Sequence, residues 1–351
     1  MLRKLCVEYG VIPTSLILQH HSITLETDRT RPQESGGCAD IYLGRWNGQL
    51  VGVKAIRTSE RDSHLHVLQR IAREAALWRC LAHPNVAPFY GIDREQFELS
   101  MICKWMPNGH IIKFLGNNPN ASRPPLIADV ACGLEFLHSD LVGIVHGDLK
   151  GANVLVDEQG RACLSDFGLS TTLYNCDTLN TVSQHTGFRS TIRWMPPELH
   201  DPEMFRLNSA TPSKASDIYS YAMVMWEIFT GKVPYEDVNY DGAVIRKVMS
   251  GERPQRPVEV SDAIWSIMED CWKQDYRKRP PIWEVRIRLE AEWYMQFPCG
   301  LRTDTDQAAE ESGIGISDIG QRSSSSNLLQ RMQQRYFAGL GRPVRGKSAS
   351  T

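Results

Sequence analysis

The sequence lacks any C-x-x-C pair, although it contains nine cysteines among its 351 residues. An odd number of cysteines scattered along a chain does not indicate a zinc ribbon or a dithiol redox centre. Such cysteines are typical of free thiols in a reducing compartment. The pattern therefore predicts a cytoplasmic protein, with the nucleus as the alternative.

Long apolar runs are also missing. No stretch of about 18 apolar residues occurs, which predicts no membrane span. Residues 1–10 carry Arg3, Lys4 and Glu8 where a signal peptide would have its apolar core. The formal net charge is -2, so the chain has no bulk basic field for nucleic acid or for an anionic membrane. We expect no nucleic-acid partner, and any charged ligand must bind at a local site.

The balance of 42% hydrophobic and 23% charged residues is that of a globular protein. Strand patterns come first: residues 38–56 alternate apolar and polar side chains around Asn47-Gly48, a strong hairpin signal. A helical pattern follows at residues 62–81 and ends at His83-Pro84-Asn85. After Pro107-Asn108-Gly109 the chain is mostly helical, with a strand-rich interruption at residues 143–169. This order predicts an α+β protein with two lobes.

The two ends of the chain differ from the middle. Residues 1–29 hold a helix-like patch at 2–9, the break at Pro13 and an apolar run at Leu16 to Leu18. We interpret them as an N-terminal extension that packs on the first lobe. Residues 297–351 are rich in Gly, Ser, Thr, Asp and Gln, including Ser323 to Ser326, which predicts a disordered tail.

The most informative stretch runs from His146 to Leu155, with the letters H-G-D-L-K-G-A-N-V-L. Short apolar runs flank these polar residues, which predicts a loop held between strands. Asp148 and Asn153 lie five positions apart, so one can approach a nucleophile while the other offers an amide oxygen to a cation. Lys150 lies between them and can neutralise a phosphate oxygen. The alternative is a polar surface loop held together by its own side chains.

Two further motifs, taken in their order along the chain, indicate possible functional residues. Asp166-Phe167-Gly168 follows a strand pattern, and Asp166 and Asn153 together would make a hard-oxygen site for Mg²⁺. Upstream, Lys54 ends a strand and Glu74 lies on the following helix. Alone, such a pair would be interpreted as a surface salt bridge worth about 0–1 kcal/mol.

A lysine strand, a glutamate helix, an H-x-D-x-K-x-x-N loop and D-F-G, in this order, resemble the signature of the eukaryotic protein kinases. The resemblance covers residues 30–296. It implies a two-lobed kinase fold with a small β-rich N-lobe, about 30–105, and a larger helical C-lobe, about 106–296. The phrases H-G-D-L-K-G-A-N and R-W-M-P-P-E resemble the tyrosine-kinase-like group of serine/threonine kinases, in particular its fungal members.

The resemblance implies a role for each matched residue in catalysis. Lys54 would hold the α- and β-phosphates of ATP, and Glu74 would orient Lys54. Asp148 would accept or orient the proton of the substrate hydroxyl, and Lys150 would steady the γ-phosphate. Asn153 and Asp166 would hold Mg²⁺.

Other matched residues would bind the nucleotide or support the fold. The adenine ring would lie between Ile41 and Leu155, next to a hinge of Lys104, Trp105 and Met106 with Cys103 at the gatekeeper position. The phosphate loop would present Gly36 and Gly37. Structural roles would fall to an ion pair between Glu198 and Arg279, and to Asp217, which would hold the backbone of the catalytic loop.

Three departures from the kinase pattern stand out. Glu34 and Ala39 replace the first and third glycines of the phosphate loop, and we expect the Glu34 carboxylate to weaken nucleotide binding by repulsion. Gly147 replaces the arginine that, in relatives, meets a phosphorylated residue of the activation loop. Pro196 replaces the alanine of A-P-E.

Lys150 and Thr191 favour serine and threonine over tyrosine as phosphate acceptors, because serine/threonine kinases carry a threonine that bridges the catalytic base and the lysine. Dual specificity is the alternative for the acceptor. The alternatives for the protein are a pseudokinase scaffold that binds ATP without efficient transfer, supported by Glu34, and a kinase of small molecules. The main prediction is an ATP- and Mg²⁺-dependent kinase of protein substrates.

Overall fold

The computed structural model describes residues 12–26, 28–35, 39–57, 64–167 and 191–296. The chain divides into a compact unit, residues 1–292, and a remainder, residues 293–351. The fold and the site belong to the first unit. The predicted helix-like patch at residues 2–9 and the predicted disordered tail lie outside the described residues.

An antiparallel sheet forms the N-lobe. Strands β3 (Ala39–Trp46) and β4 (Gln49–Ile56) form a hairpin in full register, from Trp46 opposite Gln49 to Ala39 opposite Ile56. Asn47 and Gly48, which connect them, both have positive φ, as this kind of two-residue turn requires. The predicted hairpin is therefore confirmed. Strand β4 also pairs with β6 (Ser100–Lys104), which pairs with β5 (Phe89–Asp93).

The sheet extends upstream of residue 30, where the predicted kinase domain begins. Strands β1 (Ile23–Leu25) and β2 (Glu34–Ser35) both pair with β3, at its two ends. Upstream of them, the backbone N–H of Leu18 donates to Ile92 O at 2.9 Å, and Leu16 is buried in the core. Residues 1–29, predicted as an extension that packs on the first lobe, therefore include the edge strand β1. Strand β1 was not predicted from the sequence, because it is only three residues long and residues 26–33 separate it from β2.

Helices dominate the rest of the described chain. Helix α1 (His64–Trp78) packs against β5, and a hairpin of β7 (Val154–Val156) and β8 (Ala162–Leu164) forms the predicted strand-rich interruption. None of the described helices is long and apolar enough to cross a bilayer. The bounds are α1 (His64–Trp78), α2 (Ile111–Asn117), α3 (Arg123–His138), α4 (Pro197–His200), α5 (Lys214–Thr230), α6 (Asp241–Met249), α7 (Asp262–Cys271) and α8 (Ile282–Gln296).

Helix α5 lies at the centre of the C-lobe and is buried along most of its length. Its start is fixed by a capping box, in which Ser213 and Ser216 exchange side chain to backbone hydrogen bonds. Its end is fixed by Gly231, whose φ of 70° is the left-handed conformation common after a helix. A helix fixed at both ends is a rigid support for the side chains that reach the site from it.

Candidate active site

Asp148, Lys150 and Thr191 form a triangle of hydrogen bonds. Thr191 Oγ1 donates to Asp148 Oδ1 at 2.9 Å, and Lys150 Nζ donates to Thr191 Oγ1 at 3.0 Å. Lys150 Nζ also lies 3.0 Å from Asp148 Oδ2. Thr191 is 43 positions from Asp148 in the sequence, and the structure brings it to the carboxylate as the resemblance implied. The triangle fixes one carboxylate, one ammonium and one hydroxyl around a single point.

Asn153 is joined both to Asp148 and to Ser165, the residue before Asp166. Its Nδ2 donates to Asp148 O at 2.7 Å and to Asp148 Oδ2 at 2.9 Å. Its backbone O accepts from Ser165 N at 2.9 Å. Since the amide nitrogen is turned to Asp148, the amide oxygen is the atom of Asn153 that suits a cation. Asp166 has a φ of 57°, a left-handed conformation that costs energy in a residue other than glycine.

An amide oxygen and one carboxylate match what Mg²⁺ takes from a protein when phosphate oxygens and water supply its other ligands. Asn153 and Asp166 therefore fit the predicted metal site. The described residues hold no group of three or more His, Cys, Asp or Glu that could bind a metal alone. The donor set thus fits a cation that arrives with a phosphate ligand.

Lys54 lies on β4 and is 7% exposed. Its Nζ donates to Asp166 Oδ1 at 2.6 Å. Burial by itself lowers the pKa of this ammonium, but the charges of Asp166 and Glu74 outweigh it and raise the pKa above its ordinary value. Glu74 is buried on α1. The structure therefore brings the predicted Lys54, Glu74 and Asp166 together, with Asp166 as the hydrogen-bonded partner of the lysine.

A column of aromatic rings links the sheet, α1 and the catalytic loop. Trp78 stacks on Phe89 of β5, with ring centroids 5.3 Å apart, and meets Phe167 edge-on at 5.2 Å. Phe167 in turn meets the ring of His146 at 6.1 Å. Helix α1, which carries Glu74, therefore contacts Phe167 next to Asp166 and, through Phe167, His146 near Asp148. From the sequence, Trp78 was only one apolar position of a helix.

Asp217 holds the backbone of the catalytic loop, as the resemblance implied. Its Oδ2 accepts from His146 N at 2.7 Å and its Oδ1 from Gly147 N at 2.8 Å. His138 Nε2 lies 2.8 Å from Oδ2. Gly147 has a φ of 75°, so glycine suits the place where the kinase pattern has arginine.

The predicted nucleotide-binding residues follow the sheet to the hinge. Ile41 pairs with Lys54 across the β3–β4 hairpin, and Leu155 forms an isolated bridge with His110 just after the hinge. Lys104 Nζ donates to Glu158 Oε1 at 2.7 Å. Of the other two predicted hinge residues, Trp105 is half-buried and Met106 is buried. The predicted phosphate-loop glycines, Gly36 and Gly37, lie outside the described residues.

The carboxylate of Glu34 lies 3.4 Å from Lys113 Nζ of α2. This pair joins the strand that leads into the phosphate loop to the C-lobe. Both side chains are about half exposed, so the pair adds little stability. It nevertheless places a positive charge against the carboxylate that we expected to repel the nucleotide.

We expect Lys113→Ala to raise the KM for ATP by about threefold at low salt, because Glu34 then lies at the cleft without its counter-charge. Glu34→Gly/Lys113→Ala should return KM to the value of Glu34→Gly alone. The measurement is a set of ATP titrations at two salt concentrations. An unchanged KM in Lys113→Ala would show that the pair does not act on the nucleotide.

Glu227 of α5 was not predicted from the sequence, although it reaches the catalytic loop. Its Oε2 accepts from Gly151 N and from Trp194 Nε1, both at 2.8 Å. The sequence feature that could have identified Glu227 is its position, because it is the one charged residue in the apolar run from Ala222 to Phe229. A charge in such a run of a buried helix indicates a specific partner.

Glu198 and Arg279 form the predicted ion pair within the C-lobe. The two guanidinium nitrogens lie 2.6 and 2.8 Å from the two carboxylate oxygens. Arg279 also donates to the backbone oxygens of Ala215 and Lys273. The pair is buried and ties the end of the activation segment to α5 and to the loop before α8.

An N-lobe sheet with a buried lysine, a helical C-lobe and a loop that presents Asp148, Lys150 and Asn153 are the features of the protein kinase class. The model of the family described as protein tyrosine and serine/threonine kinase matches residues 30–289. The chain belongs to this family. The predicted family and two-lobed fold are confirmed.

Several relatives are named as serine/threonine-protein kinases, and one is named as a serine/threonine/tyrosine-protein kinase. The chain is 31% identical over 261 residues to the probable serine/threonine-protein kinase drkC of Dictyostelium discoideum, and the match covers 73% of this chain and 33% of the relative. It is 28% identical over 260 residues to serine/threonine-protein kinase STY46 of Arabidopsis thaliana, covering 73% and 42%. With mitogen-activated protein kinase kinase kinase 11 of Homo sapiens it shares 27% over 270 residues, covering 73% and 30%. The chain thus spans well under half the length of these relatives.

Proposed function

We propose that this chain transfers the γ-phosphoryl group of ATP to serine or threonine hydroxyls of a protein substrate. The observation that carries the proposal is the triangle of Asp148, Lys150 and Thr191. Thr191 holds the carboxylate and the ammonium in one geometry, so that a hydroxyl near Asp148 also lies near Lys150. The names of the relatives support serine and threonine as acceptors.

In the proposed reaction the substrate hydroxyl oxygen forms a bond to the γ-phosphorus of ATP. The bond from the γ-phosphorus to the bridging oxygen of the β-phosphate breaks, and ADP leaves with that electron pair. Asp148 orients the hydroxyl and takes up its proton. Lys150 and Lys54 offset negative charge on the transferred group and on the α- and β-phosphates.

Mg²⁺ is part of the proposal. Bound with ATP, the cation would draw negative charge from the phosphate oxygens, and Asn153 and Asp166 would hold it. Hydrogen bonds from Asn153 Nδ2 to Asp148 turn the amide nitrogen to that residue, which leaves the amide oxygen as the atom to bind the cation. A protein partner is proposed as substrate. The cytoplasm, or the nucleus, stays a prediction that only the sequence supports.

Glu34 was the one feature that favoured a pseudokinase scaffold. Its carboxylate faces Lys113, and Lys54, Glu74, Asp148, Lys150, Asn153 and Asp166 are all present. We therefore prefer an active enzyme.

A phosphate-transfer assay with purified protein tests the proposal. The protein is incubated with ATP labelled at the γ-phosphate and a generic protein acceptor, once with Mg²⁺ and once with excess chelator. We expect transfer that requires the metal. Thermal stabilisation by ATP without transfer under any metal condition would favour the pseudokinase instead.

Gly147 leads to a further expectation, about regulation. Because arginine is absent there, a phosphate on the activation loop lacks that cationic partner. Protein shown by mass spectrometry to be free of phosphate should therefore keep its activity to within about threefold of the phosphorylated form. Complete inactivity of the phosphate-free protein would contradict this expectation.

A further inference from the structure

Glu227 is an acid buried in the core of the C-lobe and has contacts on both sides of the catalytic triangle. Only 4% of the surface of Glu227 is exposed to solvent. A single oxygen, Oε2, accepts from the backbone N–H of Gly151 and from the indole N–H of Trp194. Burying a carboxylate is costly unless its hydrogen bonds repay the lost hydration.

The two donors belong to the two segments that form the triangle. Gly151 directly follows Lys150 and begins the 3-10 turn that ends at Asn153. Trp194 ends the 3-10 turn whose N-cap is Thr191, and its backbone N–H donates to Thr191 O at 3.0 Å. One atom of Glu227 therefore spans the gap between the segment of Lys150 and the segment of Thr191.

Gly151 shows that this approach is close. A Cβ at Gly151 would lie 2.6 Å from the carboxyl carbon of Glu227, so no larger residue fits without moving the carboxylate. The hydrogen bond from Gly151 to Glu227 also opposes the effect of burial on the pKa of the carboxyl group. Burial raises the pKa of Glu227 to about 7, while Gly151, Trp194 and the charge of Lys150 act in the other direction. Such an arrangement is expected where position matters more than stability.

We propose that Glu227 is a positioning residue, which holds Lys150 and Thr191 in register so that Asp148 is correctly placed to receive the substrate hydroxyl. This inference rests on the proposed kinase activity and deepens it. Glu227 acts through Gly151 and Trp194, and the hydrogen bond between Lys54 and Asp166 does not involve it, so its loss should act on the chemical step.

Glu227→Ala tests the inference. We expect kcat to fall by about 10²-fold, the size of effect that a displacement of about 1 Å has on catalysis. The KM for ATP should stay within about twofold, because Lys54 and Asp166 are not held by Glu227. Glu227→Gln keeps an acceptor oxygen and should recover at least about tenfold of the loss. Equal loss in both variants would overturn the role of the oxygen as acceptor.

Trp194→Phe offers a test that avoids any misfolding of the alanine variant. It removes the indole N–H and keeps a ring, and kcat should fall by about tenfold. In the Glu227→Ala background the same change should cost nothing more, because its partner is already gone. Independent, multiplying effects of the two changes would overturn the proposal.

A matched control separates positioning from general loss of stability. Ile228→Val removes one methyl group from a fully buried neighbour on α5, and should lower Tm without changing kcat. A loss of kcat in Ile228→Val equal to that of Glu227→Ala would reduce Glu227 to a structural role. Wild-type protein is assayed alongside: if it transfers no phosphate, the proposed function fails, whereas an active wild type with an unaffected Glu227→Ala contradicts this inference alone.

Discussion

Asp148→Asn is expected to lower kcat by about 10²–10⁴-fold, the range that general acid–base catalysis contributes. The carboxylate accepts from Thr191 Oγ1, Lys150 Nζ and Asn153 Nδ2. An amide in its place loses the negative charge and turns a donor towards one of these three donors. The hydroxyl of the substrate then lacks its acceptor, while the hydrogen bond between Lys54 and Asp166 stays in place.

The measurement combines kcat from labelled-phosphate transfer with ATP affinity from calorimetry. ATP affinity should change by no more than about threefold, because Lys54 and Asp166 contact each other and not Asp148. Asp140→Asn, at an exposed loop position, is the matched control and should leave kcat unchanged. Asp148→Asn that retains more than about a tenth of the wild-type kcat would show that Asp148 is not the residue that handles the proton.

Arg279→Met is expected to cost about 3–5 kcal/mol of the free energy of unfolding, because the Glu198 carboxylate then stays buried without its partner. Both side chains are almost completely inaccessible to solvent. For a domain of this size the loss corresponds to a fall of roughly 6–20 °C in Tm. Differential scanning calorimetry measures it directly.

Two variants bracket this expectation. Glu198→Leu/Arg279→Met removes both charges and should recover part of the loss, although the backbone oxygens of Ala215 and Lys273 lose their donor. Arg277→Met breaks the exposed pair with Asp275 and should cost about 1 kcal/mol or less. If Arg279→Met and Arg277→Met lowered Tm equally, the buried pair would not be a major support of the C-lobe.

Much of the site was predictable because its residues lie close together in the sequence. The loop from His146 to Asn153 and the D-F-G turn carry their chemistry in a few positions, and their order identified the family. The Asn47-Gly48 turn was predictable for the same reason, since the backbone conformation of a two-residue hairpin demands such residues.

The rest depends on contacts that join distant parts of the chain. Glu227 meets Gly151 across 76 positions and Glu34 meets Lys113 across 79. No local pattern encodes such a pair, because it follows from how the elements pack. The short strand β1 was missed because three residues are too few for an alternating pattern to emerge.

In the proposed reaction, Asp148, Lys150 and Thr191 together align an aliphatic hydroxyl for phosphoryl transfer. Three peptides that differ only in a single acceptor, serine, threonine or tyrosine, test it most directly when each is incubated with the protein and Mg²⁺-ATP and analysed by mass spectrometry. We expect phosphate on the serine and threonine peptides and little on the tyrosine peptide, with transfer to each lowered by at least about 10²-fold in Asp148→Asn. Transfer mainly to tyrosine, or transfer in Asp148→Asn at more than about a tenth of the wild-type rate, would contradict this role of the three residues.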